Sequence, residues 1–348
     1  MVYAGLDLHK EFSVITIVDA QGREMLKQKK FPNNGEIVEL FQGFDQPVVA
    51  MEATRAWYWL YDLLEDSGIE VKLSHPLKTK AIASARIKND KIDSKVLAHL
   101  LRTDLLPLSY VPKRDVRMQR QLLRYHASLV RIQTGIKNRI HTILAKNNIT
   151  HSFSDLFGKQ GKEFLRSLPL PEIYQMALDG YLSVLYELEQ QTKAANKRIM
   201  GSVRGDEDAK LLMTIPGVGY YSALLIKSEI GDINRFPSAK QLCSYAGLIP
   251  STYSSGNTTF HGHITKQGSR WLRWILAEAV GHCVSRPGHL YQFYRKLATR
   301  KGEKIAKVAT ERKLLEWIYH MLKERRTFQD TEEIADAWGK PVWVTGLR

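Results

Sequence analysis

Cysteine is scarce. Two residues in 348, Cys243 and Cys283, cannot build a disulfide framework, and their spacing fits no zinc motif, so the expected setting is a reducing cytoplasm. No run of about eighteen apolar residues occurs, which excludes a membrane-spanning helix. The opening MVYAGLDLHKEFSVITIVD lacks the basic-then-apolar leader of a secreted chain. Internal repeats and low-complexity tracts are missing. Acid is in deficit: 36 Asp and Glu stand against 51 Lys and Arg, a formal net charge of +15. That balance points to an anionic partner, nucleic acid being the commonest, although a basic surface also serves solubility alone. What is present suffices for more than one core: 44% hydrophobic residues and a length of about two ordinary domains with something to spare.

The first hundred residues alternate between strand and helix patterns. Residues 2–9, 11–20 and 23–31 are β-prone and joined too tightly for crossovers, which predicts an antiparallel meander. A short amphipathic helix follows. PVVAMEA at 47–53 is a continuous apolar run, the mark of a buried strand, and 70–76 reads as a fifth strand after a helix at 57–66. Helices are predicted near 78–85 and 91–102. The order β-β-β-α-β-α-β-α implies a mixed five-stranded sheet with its first and fourth strands adjacent and parallel.

Acids fall at telling places in that order. Asp7 interrupts the first strand between Leu6 and Leu8, and Glu52 ends the fourth after VVAM. Asp90 and Asp93 open the helix expected to pack over both; three residues apart, they share one helical face. Taken singly, each is readable as a solvated charge, and Asp90 as a helix N-cap. Together they would repel: two carboxylates at about 4 Å cost roughly 4 kcal/mol at an effective dielectric near 20. A cation resolves this. All-oxygen ligation suits Mg²⁺ or Mn²⁺, and a pair of such ions forms a clamp for phosphoryl transfer.

The middle is helical. Over 111–149, Leu122, Leu129, Ile136 and Ile143 recur every seven residues, a coiled-coil seam that needs a partner, either the helix predicted at 173–200 or a second copy of the chain. The same segment carries Arg114, Arg117, Arg120, Arg124, Arg131, Lys137, Arg139 and Lys146, readable equally as a track for a phosphate backbone or as a solvated face. Residues 151–170 look irregular, and GSVRGDED at 201–208 reads as a break between domains.

The second half contains PGVG at 216–219, similar to a helix-hairpin-helix turn or to any tight helix corner. Residues 251–268 form a Ser/Thr/Gly-rich stretch between helical segments, expected to be a polar loop. It offers Ser251, Ser254 and Ser255, with His261 and His263, and Lys266, Arg270 and Arg273 close behind as candidate phosphate contacts; any one serine is equally readable as a turn residue. Helices are predicted at 269–285, 290–299 and 304–325, and Lys296, Arg300, Lys301, Lys304 and Lys307 make another basic stretch.

GLDLHK with Asp7, MEAT with Glu52 and NDKIDSKVLA with Asp90 and Asp93 resemble the DEDD set of the insertion-sequence one-ten family of transposases. IPGVG, the YAGL segment and the serine–glycine pair followed by GHITKQG resemble that family's C-terminal domain. The resemblance implies an RNase H-like, resolvase-type metal domain (1–110), a helical coiled-coil linker (111–205), a mostly α transposase domain with the serine loop (206–326) and a tail (327–348). It implies Mg²⁺ or Mn²⁺ on the four acids and a serine nucleophile, which matching places at Ser255 beside Gly256, with Ser254 one residue away. It further implies donor and target DNA and a bridge RNA as partners, a homodimer or homotetramer, and a nucleoid-associated protein of a bacterial or archaeal cytoplasm. Three other readings use the same residues: a metal-dependent nuclease or junction resolvase with water as nucleophile, a non-catalytic nucleic-acid binder on a degenerate RNase H-like domain, and a sugar-kinase or actin-like ATPase. A second Asp-Gly phosphate loop, required by the last, is missing.

Overall fold

The computed structural model describes residues 1–54, 56–84, 94–255 and 258–329. They fall into two compact units, Met1–Pro112 and Lys113–Arg348.

In the first unit, β1 (Val2–Leu8), β2 (Phe12–Val18) and β3 (Glu24–Pro32) form the expected meander, with α1 (Glu36–Gln42) next. β4 (Pro47–Glu52), α2 (Trp57–Asp66), β5 (Glu70–Ser74), α3 (Pro76–Ser84) and α4 (Ser94–Arg102) complete it. The sheet order is β3-β2-β1-β4-β5. β1 pairs antiparallel with β2 and parallel with β4, and β4 is parallel to β5. The β2–β3 corner is tight because Asp19 Oδ1 accepts the backbone N–H groups of Gln21 and Arg23 around Gly22, whose φ is +85°.

Strand alternation divides the sheet into two faces. Leu6, Ile15, Ile17, Val49 and Met51 bury against Ile37 and Phe41 of α1 and Leu60 and Leu64 of α2. Each such side chain contributes roughly 1.5–3 kcal/mol on leaving water. The other face is covered by α4, where Leu97 and Leu100 pack on Ala50. This is why β4 reads as an unbroken apolar run: both of its faces are buried.

The second unit contains α5 (Arg114–Lys146), α6 (Lys159–Ser167), α7 (Glu172–Val203), α8 (Glu207–Leu212), α9 (Tyr220–Ile230) and α10 (Ala239–Tyr245). A hairpin of β6 (Pro250–Ser255) and β7 (Thr258–Ile264) follows, then α11 (Arg270–Cys283), α12 (His289–Lys301) and α13 (Glu303–Glu324). α5 and α7 run antiparallel, with Ile136, Ile140, Ile143 and Leu144 packed on Leu178, Leu182 and Leu185. The heptad seam thus finds its partner within the chain. Leu123, Ile199 and Val203, at the other end of the pair, enter a larger core around α13 that includes Leu225, Leu276 and Leu314. α13 carries buried residues around its whole circumference, and its Arg312 satisfies itself by donating to Glu316 Oε1 one turn on, at 2.9 Å.

Three local expectations change. Residues 151–170 contain the helix α6, whose face Phe164–Leu165 joins the α5–α7 core. The helix expected to stop near 200 continues to Val203, because Ile199 and Val203 are buried and tertiary packing outweighs the glycine at 201. The polar loop at 251–268 is a two-stranded hairpin with Ser254 opposite Thr259 and Ser255 opposite Thr258. Its polarity hid it; the Gly256–Asn257 pair between β-prone runs is the turn signal that would have found it.

Candidate functional site

Leu6 lies opposite Met51 in the parallel β1–β4 register, so Asp7 and Glu52 occupy the next rung at the carboxyl ends of both strands. They alternate in phase with Gly5 and Ala50, which places them on the face that α4 covers. The approach of α4 depends on Gly5. A Cβ there would overlap the Ser94 carbonyl oxygen and lie 2.6 Å from the Ala98 nitrogen. Ser94 is anchored at this point by a 2.7 Å hydrogen bond between its hydroxyl and that of Thr16, opposite Gly5 on β2. Asp90 and Asp93 lie outside the described residues; Asp93 directly precedes Ser94 in the chain. Neither Gly5 nor the Thr16–Ser94 pair was read as part of the site. The signal was available for one of them: a lone glycine inside a strand marks close approach by another backbone.

The electrostatics at this rung favour a cation. Burial, and then the neighbouring Asp7 carboxylate, raise the Glu52 pKa above its ordinary value. His9 Nε2 is 3.2 Å from Asp7 Oδ2. Ser74, opposite Glu52 on β5, and Thr54, just beyond Glu52, hold buried hydroxyl oxygens with no hydrogen-bond partner among the described residues. Raised proton affinity and unsatisfied oxygens are what a hard divalent ion or its waters would relieve. Among the described residues no group of three or more His, Cys, Asp or Glu side chains converges.

In the second unit, Ser255 ends β6 at the hairpin turn, and Gly256 lies outside the described residues. The stem is held closely. The hydroxyl of Ser251 donates to the His263 carbonyl at 3.0 Å. Arg273, expected as a phosphate contact, instead donates Nη1 to the carbonyls of Ala246 at 2.9 Å and Gly268 at 3.2 Å, joining the segments that enter and leave the hairpin. Arg270 and Lys266 remain exposed. The PGVG turn links α8 to α9. Gly217, at φ +78°, is required by packing, since a Cβ there would overlap the His282 side chain, whereas a Cβ on Gly219 would meet open space.

Three of the α5 arginines expected to offer a phosphate track or a solvated face turn inward. Arg117 and Arg120 are buried. Arg120 donates to the carbonyls of Ser228 and Glu229 at 2.8 and 3.1 Å, capping the end of α9. Arg124 Nη2 meets Glu229 Oε1 at 2.7 Å, and the other Glu229 oxygen accepts from Ser269 at 2.8 Å.

Residues 4–148 match the family profile of DEDD-type IS110 transposases, and residues 209–295 match the profile described as "Transposase IS116/IS110/IS902 family". The chain belongs to the IS110/IS116/IS902 family of transposases. It is similar to the transposase for insertion sequence element IS1111A of Coxiella burnetii, 25% identical across 93% of this chain and 90% of that one. It is also similar to a probable family 20 transposase of Pseudomonas aeruginosa, 26% identical across 81% and 84%, respectively. The transposase for IS1328 of Yersinia enterocolitica is 24% identical across 90% of this chain and 95% of its own. The transposase is thus an enzyme of DNA recombination, and its DEDD domain implies dependence on a divalent metal, which the Asp7–Glu52 rung fits. Among the described residues no helix is long and apolar enough to cross a membrane.

Proposed function

We propose that this transposase cuts and rejoins DNA with a DEDD metal centre of Asp7, Glu52, Asp90 and Asp93 and a serine nucleophile, Ser255. The observation that carries the reading is the pairing of Asp7 with Glu52 on adjacent parallel strands, on the face closed by α4. The strand order β3-β2-β1-β4-β5, with β2 antiparallel to β1, supports an RNase H-like, resolvase-type domain. Bound there, Mg²⁺ or Mn²⁺ would supply positive charge against the oxygens of the scissile phosphate. Ser255 attacks phosphorus; a phosphoserine bond forms as the bond to the 3′-oxygen breaks, and the proton lost by the hydroxyl is taken up at the released 3′-hydroxyl. A second DNA 3′-hydroxyl reverses the step, so the bond energy is kept and no ATP is needed. Sequence choice belongs to a bridge RNA paired with donor and target, leaving the protein to read backbone and shape.

The metal domain corresponds to 1–110, the helical linker to 111–205, the transposase domain to 206–326 and a tail to 327–348. Exchange of several strands needs more than one serine, hence a dimer or tetramer. Exposed Met118, Val130, Ile132, Ile173 and Met176 on the outer faces of α5 and α7 support that assembly.

The test separates metal from serine. Asp7→Asn and Glu52→Gln should each lower recombination by orders of magnitude and weaken Mn²⁺ binding in calorimetry while leaving circular dichroism unchanged. Ser255→Ala should retain Mn²⁺ and DNA but yield no covalent adduct on denaturing gels. An adduct lost in Ser254→Ala instead moves the role by one residue. Strand cleavage with no adduct in the wild type would favour the water-dependent nuclease.

A further inference from the structure

The corner between α12 and α13 concentrates charge of one sign, of which only Arg300 and Lys301, in the last turn of α12, complement a helix dipole. Arg295, Lys296, Arg300, Lys301 and Lys304 are all exposed, and none has a carboxylate partner among the described residues. Several other cations of the same unit sit beside acids: Lys162 on Glu189, Lys210 on Glu207, Lys227 on Asp206 and Arg325 on Asp208. Lys296 and Arg300 are one turn apart on α12, so their like charges oppose the helix by a few tenths of a kcal/mol. Lys307, one turn into α13 from Lys304, adds a further exposed cation directed in part at Glu311. One acid, the exposed Glu303, stands among them. All of these except Arg295 lie beyond residue 295, where the match to the transposase family profile ends.

Exposed charge of one sign concentrated on one corner fits a ligand carrying regularly spaced negative charge. We propose that the α12–α13 corner is a binding surface for the phosphodiester backbone of nucleic acid. The geometry suits backbone contact rather than base reading: the side chains are mostly lysines, point charges without the planar fork that reads guanine edges. This rests only on the enzyme's being a transposase and holds whether or not Ser255 is the nucleophile.

The experiment uses the full chain. Lys296→Gln, Arg300→Gln, Lys301→Gln and Lys304→Gln are combined, and binding of a fluorescent duplex DNA and of a structured RNA hairpin is followed by anisotropy across a salt series. The slope of log affinity against log salt should fall by about 3, because each lost phosphate contact removes roughly 0.7–0.9 from it. A fall with duplex alone assigns the corner to DNA, with the hairpin alone to RNA, and with both to either backbone. A control combines Arg131→Gln, Arg139→Gln and Lys146→Gln, exposed cations of α5. Unchanged slopes on both probes in a folded corner variant overturn the proposal. So does an equal fall per charge in the control, which would make net charge, not place, the cause.

Discussion

α5 and the α12–α13 corner send the same signal in sequence, Lys and Arg recurring through a helix with few acids between them. In the fold three arginines of α5 turn inward while Arg131, Arg139 and Lys146 stay exposed, whereas the cations of the corner all face solvent. Arg120 and Arg124 reach across to the end of α9, where they satisfy two carbonyls and a carboxylate that is only 2% exposed. Lys296, Arg300, Lys301 and Lys304 reach only into solvent. A basic helix is therefore no measure of a nucleic-acid surface until its charges are sorted by what they touch. An inward arginine is a structural donor, with five N–H groups in a fixed fork suited to helix ends. An outward lysine with no acid beside it is free to neutralise a phosphate and displace the counterions condensed on nucleic acid.

The largest effect that could break this contrast is on stability. Arg124→Ala leaves Glu229 buried without its cation and should cost about 3 kcal/mol in urea unfolding. Adding Glu229→Gln should recover part of that loss, since the uncompensated charge goes with it. A loss under about 0.5 kcal/mol for Arg124→Ala would show that Arg124 faces solvent rather than Glu229.

A buried acid sharpens the contrast at intermediate size. Burial pushes Glu311 of α13 up to about 7, against the opposing pull of Lys307 and Arg273. The folded state therefore holds a proton that the unfolded chain has released above about 4.5. Stability from this group falls as pH rises from about 4.5 to 7 and stays low above that. Glu311→Gln should flatten that limb and raise stability at pH 8, by at most about 3 kcal/mol, read as the unfolding midpoint against pH. A wild-type limb as flat as the variant's would mean that Glu311 is solvated.

The smallest effect belongs to the corner. Its fourfold glutamine variant should unfold within about 1 kcal/mol of wild type, because Arg300 and Lys301 lose only a dipole interaction at the end of α12, the Lys296–Arg300 repulsion goes with them, and exposed charges outside ion pairs contribute little. A loss of several kcal/mol would place those lysines in the same structural class as Arg124.

Sequence by itself determined the strand order of the first unit. Tight links forced the meander, and the doubly apolar VVAM run demanded an inner strand beside β1, so Asp7 and Glu52 are legible as neighbours in the sequence. It also determined the long helices, since a heptad of leucine and isoleucine has one way to be buried. Tertiary structure alone decided which partner closed that seam, because α7 and a second chain offer the same apolar face. It decided that Gly5 makes room for α4 and that Arg273 holds the hairpin stem rather than a phosphate. And it decided which arginines of α5 turn inward. The reason is common to all of these: periodicity reports which face of an element is apolar, but a side chain takes its role from whatever donor, acceptor, backbone or water lies within reach, and that is set by elements distant in the chain, more than a hundred residues away for Arg120 and Arg124 and 27 for Arg273 and Ala246.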